Sequence, residues 1–185
     1  FAIVSGSDNY ATASYPLKKG KWYNLSFFYD NRAEKQTVSI MSGSNTLAKS
    51  DFFDYPGLNT SNADLIIGDG KNLSAGHLTF NKSNSFSGSI DEFRIFHGAR
   101  STDEVEYYSR RNIFAHDNLR LYFRFNEPAG SHSNNDVILD HSGNSLHSRI
   151  SNYTDAIRAP REVIDPMFLE DRRFSPVLFP NYPAV

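Results

Sequence analysis

The run Phe86–Tyr108, FSGSIDEFRIFHGARSTDEVEYY, sets two acids side by side, Asp91 and Glu92, between apolar residues. Paired carboxyls do three kinds of work: acid and base on a glycosidic bond, ligation of a hard cation, or polar support of a strand. A retaining glycosidase needs its two carboxyls about 5 Å apart. Neighbouring side chains of a strand point to opposite faces, so Asp91 and Glu92 do not converge on one substrate. The flanking residues suggest a backbone role instead. Phe86, Gly88 and Ile90 share one parity, while Phe93 and Ile95 share the other. A β-bulge at the acids would flip the apolar phase in this way. It would place Glu92 beside Arg94 on the outer face as a weak ion pair, and leave Asp91 to bond backbone groups at the bulge.

Other reactive constellations are thin. His77, His97, His116, His132, His141 and His147 are scattered, and the His141/His147 spacing matches no zinc pattern. Gly-x-Ser-x-Gly is absent, and no Ser/His/Asp arrangement stands out. With no cysteine, neither disulfides nor thiolate metal sites can form. Asp69 in GDGKN and Asp140 in DHSGN stand in polar, turn-like loops. Asp and Asn are the ordinary residues of turns through Asx hydrogen bonds. Trp22 could stack on a sugar, although a lone Trp in an apolar strand more often serves the core.

These residues must be positioned by short strands. Apolar runs alternate with Ser/Asn/Gly/Asp clusters every ten or so residues, the spacing of an all-β sandwich or barrel. The expected strands are Phe1–Val4, Trp22–Tyr29, Thr37–Met41, Asp64–Ile67, Ser89–Phe96 and Leu119–Phe125. In the last, Leu119, Leu121, Phe123 and Phe125 line one face while Arg120, Tyr122 and Arg124 line the other, as in a half-buried antiparallel strand. One helix is predicted: Ser101-Thr102-Asp103-Glu104 is a capping box, Val105 and Tyr108 could dock one face, and the helix should end near Arg111-Asn112. Five of the eight prolines lie between Pro160 and Pro183. They exclude a regular helix or central strand there. Residues 156–185 are therefore expected to form an extended arm. Its Met167, Phe168, Leu169, Phe174, Val177, Leu178, Phe179 and Tyr182 would dock on a neighbouring subunit or on the domain's own flank.

The 185 residues suit one comfortable domain, or one domain and part of another. A net charge of −2 and a pI near 6.3 leave no electrostatic footprint for nucleic acid. Arg110-Arg111 and Arg172-Arg173 are isolated pairs. No apolar run approaches the length of a membrane span. The opening FAIVSG reads like mid-strand sequence, so the chain is expected to be a piece of something longer. Secreted animal modules of this size usually carry a disulfide, which points to a bacterial or viral source. Five Asn-x-Ser/Thr sequons, at Asn24, Asn59, Asn72, Asn81 and Asn152, carry little weight in so Asn- and Ser-rich a chain.

Several segments together resemble the laminin G-like, concanavalin A-like family of jelly-roll domains. LKKGKWYNLSFFYD resembles its Gly-x-Trp strand, QTVSIMSGSNTLA the next strand and turn, and ADLIIGDG the strand ending in Ile-Gly. FSGSIDEFRIFHGARSTDEV is the most specific match. NLRLYFRFNEPAG followed by VILDHSGNSLHSRISN is similar to the opening of such a domain. The resemblance implies an antiparallel β-sandwich of jelly-roll, concanavalin A-like type over residues 1–112, lacking its first strands. Residues 113–155 would complete that sandwich or open a second. Relatives often hold calcium in edge loops, and the resemblance implies Asp69 and Asp140 as its candidate ligands here. Endo-glucanases of this fold carry Glu-x-Asp-x-Glu on one strand; Ser-Ile-Asp-Glu-Phe-Arg-Ile stands in that place here, so hydrolysis is not expected. Two functions follow. The chain is expected to be a non-catalytic assembly module of a tailed-phage virion or surface protein, whose arm grips other protein subunits. The alternative is a lectin-like adhesion module that binds glycan or protein outside the cell.

Overall fold

The computed structural model describes residues 2–5, 9–53, 65–68, 72–75, 78–81, 83, 86–109, 111–127 and 134–158. Two compact units divide the chain: Phe1–Ile90 with Gly98–Glu106, and Asp91–His97 with Tyr107–Val185.

The first unit is built from antiparallel strands. β1 (Ala2–Ser5) pairs with β2 (Asn9–Thr12). β3 (Asn24–Asp30), β4 (Lys35–Ser42) and β5 (Asn45–Phe52) form a three-stranded sheet with β4 in the centre. β6 (Leu73–Ala75) and β7 (Leu78–Phe80) form a third pair. In β4 the residues Gln36, Val38 and Ile40 are buried on one face, and Ser39 and Met41 on the other are buried as well. Val38 and Ile40 turn to a core shared with Ala11 and Ala13, and Tyr15, Tyr23, Phe27, Leu47, Ala48 and Phe52 pack against it. Full burial of a branched apolar side chain contributes about 1.5–3 kcal/mol. Leu47 and Ala48 are sequence neighbours yet both reach this core. The register explains it: Ile40 pairs with Ala48 but Met41 pairs with Thr46, so Leu47 is the extra residue of a bulge. Gly43, at φ +58°, supplies the left-handed turn between β4 and β5.

Gln36 shares the Val38 face and is fully buried, with neither amide atom partnered among the described residues. On the opposite face the Ser26 and Ser39 hydroxyls lie 2.5 Å apart. Trp22, expected in the core of a strand, instead precedes β3 and is 37% exposed. Residues 65–67 of the strand expected at 64–67 are not in a strand, and Asp64 lies outside the described residues.

In the second unit, β8 (Phe93–Phe96) runs antiparallel to β9 (Leu119–Phe123). β10 (Val137–Ile138) pairs with β11 (Ser148–Arg149). Leu119, Leu121 and Phe123 are buried, as their parity requires. Tyr122 and Arg124, expected on a wet face, are buried as well. β9 is thus covered on both sides through its second half, and its polar residues are accommodated by partners far away in sequence.

The helix α1 (Thr102–Tyr108) starts on the expected capping box. Ser101 Oγ accepts the Glu104 N–H at 3.2 Å, and Glu104 Oε2 accepts the Ser101 N–H at 2.9 Å. It ends at Tyr108, short of the expected Arg111-Asn112. The Arg111 N–H closes the last turn on the Tyr108 carbonyl at 3.3 Å, and Arg94 donates to the same carbonyl at 2.6 Å. An arginine therefore satisfies a carbonyl the helix would otherwise leave open. No helix among the described residues is long and apolar enough to cross a membrane.

Candidate functional site

The two acids resolve into different structural jobs. Glu92 adopts φ +55°, a left-handed conformation uncommon for a residue with a side chain. The backbone turns at this residue, and the register irregularity of the β8–β9 pair lies not at the acids but further on, between Ile95 and Phe96. Asp91 Oδ1 accepts the Glu92 N–H at 2.9 Å and supports the kink, as a bond to nearby backbone was expected to. Strand β8 starts only after the acids, at Phe93.

Glu92 does pair with Arg94, but inside the unit rather than on the outer face. Their side chains are only 8% and 10% exposed. Arg94 donates to Glu92 Oε2 and to the carbonyls of Tyr108 and Arg111. Its guanidinium also lies 4.8 Å from the ring centroid of Tyr122, its cross-strand partner. The Tyr122 hydroxyl donates to Glu92 Oε2. Burial pushes the Tyr122 phenol well above its ordinary range; Arg94 opposes this and Glu92 adds to it. A phenol held neutral remains a donor to the carboxylate. The cluster spends its carboxylate on a cation and a phenol, and offers it to no substrate.

Asp140 is equally engaged. Oδ1 accepts the N–H groups of Tyr122 and Ser142, both at 2.9 Å. Oδ2 accepts the Ser142 hydroxyl at 2.8 Å and the Leu146 N–H at 3.0 Å. A carboxylate has about four acceptor positions, and here four donors occupy them. Burial would raise the Asp140 pKa, but those bonds outweigh it and hold the carboxyl below its usual range. A calcium ion needs these lone pairs, so the residues around Asp140 do not fit one. Among the described residues, no three His, Asp or Glu side chains group as a metal site. Asp69 lies outside the described residues, as do Met167, Phe168, Leu169, Phe174, Val177, Leu178, Phe179 and Tyr182 of the arm.

The Asp140 turn stitches itself to the edge of β9 that β8 does not use. Besides the Asp140 bond to Tyr122 N, the His141 N–H donates to the Tyr122 carbonyl at 2.8 Å. Asn144 Nδ2 reaches the carbonyls of Leu119 and Arg120 at 3.0 and 3.1 Å. Side chains thereby extend a single antiparallel bridge between Phe123 and Asp140. His141 packs edge-on to the Tyr122 ring at 6.2 Å. Its burial, with Arg124 nearby, lowers its pKa against the opposing pull of Glu127, Asp140 and Glu92. A second buried ion pair fastens the end of the described chain. Arg158 donates to Glu127 Oε2 and to the Val137 carbonyl, at 2.8 and 2.7 Å. The sequence offers no periodic signal for this pair, because its members lie 31 residues apart.

An open cluster lies in the first unit, where β4 begins and β5 ends. Phe53 is 64% exposed, and Lys35 Nζ stands 5.2 Å from its ring centroid. Lys35 pairs with Asp51 at 3.2 Å, and the Thr37 hydroxyl donates to Asp51 at 2.6 Å. The Thr37 bond, ahead of Lys35 and Lys49, holds the Asp51 carboxyl below its usual range. An accessible ring beside an ammonium, a hydroxyl and a carboxylate can present one apolar and several hydrogen-bonding groups to a ligand. Sequence reasoning missed it, since Phe53 looks like one more apolar strand residue.

A family model described as the concanavalin A-like lectin/glucanases superfamily, of laminin G type, matches residues 1–106, more than half of the 185. The chain belongs to that superfamily. Among the described residues, the antiparallel strands and one short α-helix agree with the superfamily's β-sandwich. Among solved structures, a Bacteroides ovatus protein described as a candidate carbohydrate binding protein matches at a TM-score of 0.54 and 20% identity. The match covers 80% of this chain and 39% of that one, so the superfamily member described here spans about two fifths of its neighbour's length. That likeness concerns the fold. No curated protein matches.

Proposed function

We propose that this superfamily member is a non-catalytic module that binds carbohydrate outside the cell. One observation carries the reading: the open Phe53 ring stands beside the Lys35–Asp51–Thr37 set, while both acids at 91–92 and Asp140 are taken up by internal bonds. A pyranose has an apolar C–H face and a rim of hydroxyls, and this cluster offers a partner for each. Among the described residues, the acids at 91–92 and Asp140 are engaged in internal bonds and do not present the carboxyl pair that hydrolysis requires. The superfamily and the description of the B. ovatus neighbour point the same way. The virion-assembly reading rests on the lack of cysteine, on the absence of an evident sugar site in the sequence and on the arm, whose apolar residues lie outside the described residues.

A glycan-array screen of the whole chain, followed by calorimetry on the hits, tests the proposal. Phe53→Ala is expected to lower affinity about tenfold, the loss of one aromatic contact, with unchanged thermal unfolding. Release of reducing ends from any bound polysaccharide would overturn it. An array with no hit, together with self-association of the chain, would favour assembly.

A further inference from the structure

Residues 17–22, Leu-Lys-Lys-Gly-Lys-Trp, carry three positive charges and no acid in a chain whose net charge is −2. All six are exposed. The loop is held in place at its base. The Lys18 N–H donates to the Tyr23 hydroxyl at 2.9 Å, and the Tyr23 ring lies 6.4 Å from that of Tyr15. Both tyrosines pack against the Val38–Ile40 core. Gly20, at φ +72° with open space where a Cβ would stand, makes the turn. None of Lys18, Lys19 and Lys21 forms an ion pair among the described residues, in contrast to Lys35. Three uncompensated ammonium groups and an accessible indole are thus gathered on one closed five-residue span.

From this we infer that the Lys18–Trp22 loop is a second binding site, selective for acidic saccharides that carry carboxylate or sulfate groups. The inference rests on the carbohydrate reading, but on different residues. Ammonium groups attract anions as point charges without demanding one planar geometry. The indole offers the largest aromatic face for a sugar's C–H groups, and its 37% exposure leaves that face in reach. Nucleic acid and anionic membranes also present negative charge. Three lysines on one short loop are a small patch for either, and the chain's overall charge opposes both.

The test measures binding of the full chain to heparin oligosaccharides and polygalacturonate, with neutral galactan, phosphatidylserine vesicles and duplex DNA as comparators. The acidic saccharides should bind more tightly than galactan and weaken as salt rises. The K18Q/K19Q/K21Q variant should lose about tenfold in affinity for them, and W22A a similar factor, without a change in thermal unfolding. K18R/K19R/K21R should retain binding. Unchanged affinity in K18Q/K19Q/K21Q would overturn the inference, as would equal or tighter binding to vesicles or DNA. Binding to neutral glycans alone would sink this inference and leave the Phe53 proposal standing. No saccharide binding of any kind would remove both.

Discussion

Arg94 and Tyr122 face each other across the β8–β9 pair, with the guanidinium 4.8 Å from the ring centroid and Glu92 bonded to both. Removing the cation leaves a buried carboxylate without its counter-charge. Arg94→Met should therefore destabilise by about 3–5 kcal/mol. Tyr122→Phe keeps the ring and loses one donor to that carboxylate, so about 1–3 kcal/mol is expected. Urea unfolding followed by circular dichroism distinguishes these from the near-zero cost of a surface ion pair.

Gln36 supplies a prediction of opposite sign. Its buried amide has no partner among the described residues, and an unmade hydrogen bond is costly inside a protein. Gln36→Met preserves the length of the side chain. It should stabilise the chain by about 1–2 kcal/mol, read as a rise in the urea midpoint. A fall would show that the amide is bonded through ordered water.

Acid should weaken the second unit in two steps. His141 has a folded-state pKa below its ordinary 6.5, so the unfolded chain binds more protons as pH drops beneath that value. Its contribution is complete above pH 6.5 and declines as pH falls toward the folded pKa. Asp140 is held below its ordinary 3.8, so its contribution is present above that value and is lost as pH falls through the folded pKa. Thermal midpoints measured from pH 8 to 3 should fall with acid, and His141→Phe should flatten the part of the decline that begins below pH 6.5.

The capping box is open to a local test. Ser101→Ala removes the acceptor for the Glu104 N–H and should cost about 1 kcal/mol. Hydrogen exchange at the first amides of α1 should quicken, while exchange in β4 stays unchanged.

A chain ending at residue 112 keeps the whole family match but deletes β9, the partner of β8. We propose that residues 113–158 complete the folded region. The shortened chain should then lose protection at Phe93–Phe96 and gain dye-binding apolar surface. Retained protection there would mark the later segment as a separate module.

Local rules made part of this visible in advance. Alternation gave Val38 and Ile40 their face, the Ser-x-x-Glu spacing gave α1 its start, and the parity change at Asp91-Glu92 marked a real discontinuity. What stayed hidden depends on partners distant in sequence. Arg94 and Tyr122 read as solvent-facing because a charge or hydroxyl in an alternating strand usually is. Their burial is tolerated only because Glu92 and two carbonyls meet them, and those meetings span up to 30 residues. Trp22 misleads for the reverse reason: its neighbours look like a strand, but the strand begins two residues later, at Asn24. The short strands β6, β7, β10 and β11 have too few residues for a period to declare itself.

A ladder between two backbones is blind to sequence, and nearly any residue can occupy it. The outer edge of β9 is sealed differently: beside one backbone bond from His141 N–H, one carboxylate, one hydroxyl (Ser142 Oγ to the Arg120 carbonyl at 3.2 Å) and one carboxamide hold it, each with a fixed reach. Asp140, Ser142 and Asn144 are therefore denied the drift that ordinary strands enjoy. Chains that descend from this one can vary the exposed Arg120 side chain, but losing Asp140 or Asn144 would leave the Tyr122 N–H or the Leu119 carbonyl open to a passing strand, and self-association would follow.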